Sequence, residues 1–355
     1  MSARYVAVQW NRRKVAYDLV VVAAVLLYTQ VFQLVGRRVF PEGAEVNSQI
    51  LAMRAWGSCA YLMLTAILAI GPLARLDRRF LPILYNRRHL GVIFFLVALW
   101  HARQVLGFYH AYGPISELAS LFTYDAAFTP SSMPFQLFGA AALAWFAVMA
   151  ATSHDFWQRV MGARAWKTLH MGIYAAWALV VAHVAFGALQ RDSVPVWTGG
   201  VALSVVVVAG LHLLAARRSR RPDRTPAPER TDGDDAWLDA AALEDLEDGR
   251  PLTVVPPRGE RLLLLREGDR VTALGAVCAH QGGPLDEGRV IDGCLTCPWH
   301  GWQYRGADGH SPPPYEERIP THRVVVREGR VLVDPRPCAL DRPAEPCRTT
   351  GEETR

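Results

Sequence analysis

The stretch CAHQGGPLDEGRVIDGCLTCPWHG, residues Cys278–Gly301, carries two pairs of side chains that commonly bind metals. The first pair is Cys278-x-His280, the second is Cys297-x-x-His300, and sixteen residues separate the two pairs. Two thiolates and two imidazoles on short loops could bind one zinc ion tetrahedrally, or a 2Fe–2S cluster with mixed ligation. The ligand set alone leaves both kinds of site open.

The residues around these pairs favour the iron–sulfur cluster. The pattern C-x-H-x-G-x-x-L, followed by C-P-W-H-G-W-x-Y, resembles the Rieske family. The matching residues are Cys278, His280, Gly282, Leu285 and the run Cys297–Tyr304. The resemblance extends over Trp237–Pro335 and includes the segment LEDLEDGRPLTVV. It implies a small all-β domain that holds a 2Fe–2S cluster.

In that family two cysteines hold one iron and two histidines hold the other. The resemblance therefore implies four ligands, which are Cys278, Cys297, His280 and His300. Imidazole ligation raises the reduction potential of such clusters into a range of roughly −150 to +300 mV. Respiratory members add a disulfide and a serine that hydrogen-bonds the cluster, whereas Gly283, Trp299 and Trp302 occupy those positions here. Because fewer donors stabilise the reduced state, we expect a low potential of the ferredoxin kind.

The chain before this domain is far more apolar. Hydrophobic residues make up 51% of the 355 residues, and the apolar content lies before Arg217. Six windows are long enough to cross a hydrocarbon core of roughly 30 Å, which takes about 20 helical residues. These windows lie near Val15–Val35, Gln49–Gly71, Leu90–Tyr109, Phe135–Thr152, Leu169–Leu189 and Val196–Ala216. We therefore expect an all-α membrane bundle of six helices, followed by the small all-β domain.

Charges at the ends of the spans predict their orientation. Sixteen Lys and Arg residues flank the spans on the side of the N-terminus, against Arg37, Arg38 and Arg191 on the other side. Both termini and the Rieske-like domain are therefore expected on the cytoplasmic side of a plasma (bacterial inner) membrane. These anchoring residues also explain the net charge of +5. The expected partner of the basic side chains is thus the lipid bilayer, and no nucleic acid is expected.

The composition also predicts the domain boundaries. Residues 1–216 form the membrane domain, and residues 217–235, rich in proline and charge, form a flexible linker. Residues 236–336 form the β domain, in which LLLLREGDRVTALGAV and HRVVVREGRVLVDP indicate short strands joined by turns that contain glycine. Residues 337–355 are expected to be a disordered tail.

Two histidines lie inside the predicted spans at similar depths. Ionisable residues within a membrane are costly and therefore mark candidate functional sites. At about 1.5 Å per residue, His101 lies roughly 17 Å, and His183 roughly 21 Å, from the cytoplasmic ends of their helices. Because a b-type heme needs two imidazoles from facing helices, this pair predicts a heme site. A hydrogen-bonded polar contact between helices is the alternative.

The same spans resemble the ferric-reductase-like transmembrane family, which includes NADPH oxidases and the heme subunit of the methionine-sulfoxide reductase system. The matching segments are GPLARL at Gly71–Leu76, NRRHLG at Asn86–Gly91 followed by His101, and WKTLHMGIYAAWALVVAH at Trp166–His183. The resemblance covers roughly the second to fifth spans. It implies that His101, His170 and His183 are heme ligands.

The chain departs from the two-heme members of that family at Arg87. Those members carry a histidine about fourteen residues before the third-span ligand, where this chain has Arg87. His89 lies nearby, but an interval of twelve residues turns it about 120° away from His101 on an ideal helix. His170 is therefore expected to bind a second, inner heme with His89 or another group, or to line a flavin or quinone site where Arg87 binds an anionic group. Arg103 either neutralises a heme propionate or extends toward the interface.

A cytoplasmic one-electron cluster joined to a heme-binding bundle predicts an oxidoreductase component that transfers electrons. No G-x-G-x-x-G follows a predicted strand, so a flavin–nicotinamide domain is not expected. The expected donor is a cytosolic reductase or a ferredoxin-type protein, and the expected acceptor is a quinone or a periplasmic molecule.

Two other classes of protein remain as alternatives. A Rieske oxygenase needs a mononuclear iron site of two histidines and a carboxylate downstream of the cluster. Only Gly301–Arg355 are left for such a site. The second alternative is a membrane-anchored ferredoxin or redox sensor whose bundle binds no heme.

Overall fold

The structure, a computed structural model, describes residues 12–39, 48–80, 83–84, 86–110, 115–122, 135–191, 195–219, 227–232, 235–257, 259–280, 282–298, 301–313 and 315–349. The chain divides into two compact units. The helical unit contains Trp10–Leu73 and Asn86–Leu214. The other unit contains Ala74–Tyr85 and Ala215–Arg355, and it carries the β-sheets.

The helices account for most of the first 219 residues. In chain order they are α1 (Arg12–Val39), α2 (Ser48–Leu76), α3 (Arg87–Val105), α4 (Glu117–Ser120), α5 (Phe135–Ala151), α6 (Asp155–Met171), α7 (Ile173–Phe186), α8 (Ala188–Arg191) and α9 (Pro195–Ser219). A π-helical turn, Leu106–His110, extends α3. Such turns are uncommon and often lie close to functional sites.

Five helical stretches are long and apolar enough to cross a membrane. They are Lys14–Arg38, Ser48–Leu76, Arg87–His110, Ala165–Gln190 and Pro195–Arg218. The predicted fourth span corresponds to α5, an apolar helix of 17 residues. At 1.5 Å per residue, α5 is about 25 Å long, which is shorter than the hydrocarbon core. The described residues therefore contain five full-length spans and one shorter apolar helix, rather than the six spans predicted.

Apolar side chains hold the helical unit together and also cover its outside. Phe94 of α3 and Phe146 of α5 pack edge to face, with ring centroids 4.9 Å apart. The hydroxyl groups of Tyr61 and Ser204 are hydrogen-bonded at 2.5 Å, which ties α2 to α9. Large exposed side chains on the outside include Leu19, Leu27, Leu203 and Val206. An apolar surface of this extent fits lipid and does not fit water, so this part of the chain is a membrane domain.

The second unit is built from antiparallel strands. They are β1 (Ala227–Asp232), β2 (Asp235–Ala242), β3 (Leu252–Val254), β4 (Leu262–Glu267), β5 (Arg270–Gly275), β6 (Arg289–Ile291), β7 (Cys294–Thr296), β8 (Gln303–Arg305), β9 (Thr321–Arg327), β10 (Arg330–Pro337) and β11 (Cys347–Arg348). The larger sheet has the order β1-β2-β10-β9-β5-β4-β3, with β11 beside β5, and the smaller sheet has the order β6-β7-β8. This arrangement confirms the all-β class predicted for the C-terminal part of the chain.

The run Leu262–Leu265 places β4 between the two hydrophobic cores of this unit. All four leucines are buried. Successive residues of a strand point to opposite faces, and here the odd-numbered leucines enter one core while the even-numbered ones enter the other. Because both faces of β4 are covered, its sequence is an unbroken apolar run rather than an alternating one. The first core also contains Cys278 and Cys297.

A buried carboxylate ties β9 to β10. Asp334 is 2% exposed, and its side chain accepts hydrogen bonds from Arg323 Nη2 at 2.6 Å and from Arg336 Nε at 3.0 Å. Its backbone oxygen accepts a bond from His322 Nδ1 at 3.1 Å. Burial alone would raise the pKa of Asp334, but the hydrogen bonds from Arg336 and Arg323 outweigh burial and lower that pKa.

Two segments that were expected to lack regular structure form strands. Within the predicted linker, β1 pairs with β2, and an edge strand of this kind needs only backbone hydrogen bonds, so its polar sequence is tolerated. Within the predicted tail, β11 pairs with β5, and Thr349 N–H donates to Asp269 O at 2.7 Å. The expectation of disorder for residues 337–355 is thus corrected for the part described. Residues 220–226, 233–234 and 350–355 lie outside the described residues.

Asp334→Asn is expected to destabilise the β-sheet unit by roughly 2 kcal/mol, because hydrogen bonds to charged groups contribute about 1.5–3 kcal/mol. A carboxylate with a lowered pKa stabilises the fold above the ordinary pKa of aspartate, 3.8, and this contribution is lost as the pH falls through the lower folded-state pKa. The variant should therefore differ from the wild type at neutral pH and approach it in acid. Pulse proteolysis of the purified full-length protein, with fragments assigned by mass spectrometry, measures this difference.

The matched control is Asp341→Asn, since Asp341 is exposed. This control should leave the protease resistance of the β-sheet unit unchanged at every pH. A loss of resistance in Asp334→Asn that is equally large in acid would contradict an electrostatic role for Asp334.

Candidate functional site

Two loops of the β-sheet unit contain the Cys–His pairs, and the described residues of both loops make the same backbone hydrogen bonds. Cys278 N–H donates to Gly283 O at 2.8 Å, and Cys278 O accepts from Gly282 N–H at 2.7 Å. Cys297 makes the two equivalent bonds, both at 2.8 Å. Gly282 and Gly301 each have a φ of 64°, a conformation that glycine adopts without steric cost. The repeated turn therefore explains why a glycine stands four residues after each cysteine.

The predicted cysteine ligands lie in the apolar core beneath these loops. Cys278 is 2% exposed and Cys297 is 1% exposed, and both belong to the same core cluster. His280 follows Cys278 in the first loop. His300, the fourth predicted ligand, lies outside the described residues. Buried thiols on two matching loops fit a group that is held away from water.

Tyr304 connects the two halves of the first Cys–His pair. Its side chain is fully buried, its hydroxyl lies 3.3 Å from Cys278 Sγ, and the hydroxyl oxygen accepts a bond from His280 N–H at 3.2 Å. Burial, followed by the charge of Cys278, raises the pKa of Tyr304. The phenol therefore keeps its proton and can donate it to the sulfur.

Trp302 packs directly on the predicted ligand His280. The two rings are stacked, with centroids 4.0 Å apart and planes inclined by 5°. The indole N–H donates to Ser311 Oγ at 3.0 Å. The imidazole of His280 is thus held in one plane by a ring that is itself fixed.

Cys294 is not part of this site. All six cysteines lie in the described part of the chain, and none of them forms a disulfide. Cys294 is buried on β7. Burial, followed by the charge of Glu267, raises the pKa of its thiol, which opposes the thiolate form that binds metals. We interpret Cys294 as a core residue.

In the helical unit, the structure brings His101 of α3 and His183 of α7 together. Their ring centroids are 6.5 Å apart, and the ring planes are inclined by 76°. His101 Nδ1–H donates to Met53 O at 3.0 Å, and His183 Nδ1–H donates to Phe135 O at 2.9 Å. Because a carbonyl oxygen can only accept, each Nδ1 carries the proton and each Nε2 keeps its lone pair for a metal.

The separation of the two rings fits ligation of a single metal ion. Bonds between a metal and imidazole are about 2 Å long, so two imidazoles on opposite sides of one ion have ring centroids about 6 Å apart. The observed value is 6.5 Å. The separation of the rings and the lone pair on each Nε2 are therefore compatible with ligation of one metal ion.

His170 and His89, the histidines predicted to lie at an inner site, each contact another residue of the helical unit. The ring of His170 stacks on Trp166, with centroids 3.8 Å apart, and its Nδ1 lies 3.1 Å from Trp166 O. His89 Nδ1 lies 2.8 Å from Asp18 Oδ2 on α1. These contacts do not test whether a second heme, a flavin or a quinone binds here, so that prediction stays a prediction.

The two arginines predicted to bind anionic groups lie against glycines. Arg87 Nη1 would be 3.3 Å from a Cβ at Gly71, and Arg103 Nη1 would be 2.7 Å from a Cβ at Gly107. Arg103 is exposed and lies beside the π-helical turn that follows His101. Arg87 is the first residue of its membrane span, whereas Arg103 lies within the same span, two residues after His101.

Sequence reasoning missed several residues that complete these sites. Tyr304 ended the motif that resembles the Rieske family, but its bond to Cys278 could not be foreseen. Nothing in the sequence indicated the roles of Met53 and Phe135, because each residue acts through its backbone oxygen and not through its side chain.

Two family models match the chain. Residues 236–323 match the Rieske [2Fe-2S] domain, and residues 48–181 match the ferric reductase like transmembrane component. The first match includes all four predicted cluster ligands. The second includes His101 and His170, and it ends two residues before His183.

Several known proteins are similar to part of the chain. A probable 3-ketosteroid-9-alpha-monooxygenase, oxygenase component, of Rhodococcus rhodochrous is 31% identical over 84 residues, which are 24% of this chain and 21% of that protein. Cholesterol 7-desaturase of Xenopus laevis is 44% identical over 66 residues, 18% of this chain and 14% of that protein. The solved ferredoxin of carbazole 1,9a-dioxygenase from Nocardioides aromaticivorans is 26% identical over 28% of this chain and 98% of that chain, with a TM-score of 0.27.

The chain spans about a fifth of the length of the curated relatives that it matches first. Their similarity therefore concerns one domain and not a whole enzyme. The architecture of the chain follows from the two family matches, the apolar helices and the antiparallel sheet. This chain is a membrane protein in which a ferric-reductase-like transmembrane domain precedes a C-terminal Rieske domain.

Proposed function

We propose that this protein transfers single electrons between a 2Fe–2S cluster in its Rieske domain and a b-type heme in its membrane domain. The observation that carries the proposal is the facing pair His101 and His183, 6.5 Å apart, in a chain that also contains a Rieske domain. When bound, the two cofactors supply one-electron chemistry that amino-acid side chains lack. The protein supplies ligands, orientation and an apolar environment.

The cluster would be held by the two matching loops. Cys278 and Cys297 would ligate one iron, and His280 and His300 the other. Burial of both thiols excludes water from the sulfur ligands. Tyr304 would stabilise negative charge on the sulfur of Cys278, since its hydroxyl lies 3.3 Å away.

The heme would be held by His101 and His183. The carbonyl oxygens of Met53 and Phe135 keep a proton on each Nδ1, so each Nε2 is available to the iron. Arg103, beside the π-helical turn, would neutralise a heme propionate. An apolar bundle around these residues raises the cost of an unbound polar imidazole, which favours occupancy of the site.

A second site would lie near the other ends of these spans. His170 and Arg87 together offer an imidazole and a guanidinium to a second heme, a flavin or a quinone. The stacking of His170 on Trp166 supports this assignment, because it fixes the plane of the imidazole.

The excess of basic residues on one side of the spans supports a cytoplasmic position for both termini and for the Rieske domain. In a plasma membrane, electrons would then pass from a cytosolic reductase or ferredoxin-type protein to the cluster and the heme. The final acceptor would be a quinone or a periplasmic molecule.

Replacing an axial ligand tests the heme. His183→Ala is expected to abolish the b-type bands in reduced-minus-oxidised spectra of the purified protein, because one axial bond is lost. The electron paramagnetic resonance (EPR) signal of the reduced cluster should remain, because the cluster ligands lie in the other unit. His212→Ala is the matched control, since His212 lies in another span, where it is bonded to the hydroxyl of Tyr174 at 2.9 Å.

Two outcomes would count against the proposal. Heme bands that persist in His183→Ala would show that the axial ligands are assigned wrongly. A wild-type protein with an intact cluster and no heme would support the alternative of an anchored ferredoxin or redox sensor.

Tyr304→Phe is expected to lower the reduction potential of the cluster by on the order of 50 mV, because a hydrogen bond of about 1 kcal/mol that favours the reduced state is lost. Tyr315→Phe is the control, since it keeps the ring that packs on Trp302 at 4.4 Å. An EPR-monitored redox titration measures both variants. An unchanged potential in Tyr304→Phe would mean that the hydroxyl does not act on the cluster.

A further inference from the structure

The two histidines that face each other in the membrane are held by the same arrangement of residues. The carbonyl that accepts the bond from His101 belongs to Met53, and the residue four positions later is Gly57. The carbonyl that accepts the bond from His183 belongs to Phe135, and the residue four positions later is Gly139. One arrangement therefore occurs twice, once on α2 and once on α5.

The glycines lie where the imidazoles approach. A Cβ at Gly57 would be 2.9 Å from Cε1 and 3.1 Å from Nδ1 of His101. A Cβ at Gly139 would be 2.8 Å from Nδ1 and 2.9 Å from Cε1 of His183. Carbon atoms in contact are normally about 3.5–4.0 Å apart. Any side chain at either position would therefore push the imidazole away from its carbonyl.

The spacing of four residues has a direct geometrical cause. In an α-helix the carbonyl oxygen of one residue accepts the N–H of the residue four positions later. The side chain of that later residue lies beside the carbonyl, on the same face of the helix. A carbonyl oxygen has a second lone pair, and at Met53 and Phe135 the incoming imidazole occupies the space that a Cβ on the later residue would fill.

We propose that Gly57 and Gly139 are positioning residues for the heme. They let each imidazole reach a helix carbonyl that is already bonded within its helix, and the carbonyl then fixes the protonated nitrogen and the ring orientation. This inference rests on the proposed function, in which His101 and His183 are the axial ligands. It goes further by assigning a role to two residues that carry no functional group.

The chain offers matched controls for this proposal. Gly91 on α3 and Gly210 on α9 also lie within membrane helices, and a Cβ at either would meet no atom within 4 Å. Alanine favours a helix by about 1 kcal/mol relative to glycine. Gly→Ala at all four positions therefore strengthens the helix, and only at Gly57 and Gly139 does it also displace an imidazole.

The test uses the full-length protein with its cofactors, purified in detergent. Gly57→Ala and Gly139→Ala are expected to lower the ratio of heme to protein severalfold. The heme that remains should have a shifted low-spin EPR signal, since that signal reports the orientation and strength of the axial ligands. Gly91→Ala and Gly210→Ala should keep the wild-type heme content and signal. In each variant the EPR signal of the cluster shows that the β-sheet unit is folded, and far-ultraviolet circular dichroism shows that the helices of the membrane domain are retained.

Because Gly57 and Gly139 contact different histidines, either alanine variant decides the test if the other fails to fold. Gly139→Ser adds more volume than alanine and should shift the heme signal further, in the same direction. The proposal is overturned if the alanine variants at Gly57 and Gly139 match those at Gly91 and Gly210 in both heme content and signal. A wild-type protein without heme overturns the proposed function instead, so the two failures are distinguishable.

Discussion

An imidazole that binds a metal through one ring nitrogen must have its other nitrogen, or its ring plane, held by the protein. Otherwise the ring rotates and the proton can occupy either nitrogen. In the membrane domain of this protein, backbone carbonyl oxygens hold His101 and His183 through Nδ1. In the Rieske domain, the indole of Trp302 holds the plane of His280. The proposed electron transfer depends on this control of histidine orientation at both ends.

The two domains fix the orientation of their histidines with different chemical groups. Helices in a membrane must satisfy all their backbone groups internally, and at Met53 and Phe135 a glycine four residues later leaves room for an imidazole to share the helix carbonyl. The sheet domain has irregular loops over a packed core, so it can use side chains instead. Tyr304 and Trp302 approach the first loop from that core. Each domain therefore fixes its ligands with the groups that its environment leaves available.

Some of this organisation could be predicted from the sequence. The repeated Cys–His motif predicted a Rieske domain, which the family match confirms, and the segment LLLLREGDRVTALGAV predicted strands where β4 and β5 lie. Helix rise alone placed His101 and His183 at comparable depth, and the structure brings their rings together. These predictions succeed because side-chain type and spacing along the chain determine them.

Other features of the structure have no recognisable pattern in the sequence. Strands β1 and β11 are held by backbone bonds to β2 and β5, which no side-chain periodicity reports. The fixed tautomers of the two membrane histidines depend on backbone oxygens in other helices. Backbone contacts between residues that are far apart in the sequence therefore could not be predicted from the sequence.

The central claim is that electrons pass between the two iron centres of one chain, and anaerobic stopped-flow reduction tests it most directly. A soluble one-electron donor reduces the purified protein while the absorbance of the b-type heme is followed, in the wild type and in Cys297→Ser, which removes a proposed cluster ligand. Heme reduction is expected to be fast in the wild type and strongly slowed in the variant. Equal rates of heme reduction with and without the cluster would contradict this claim.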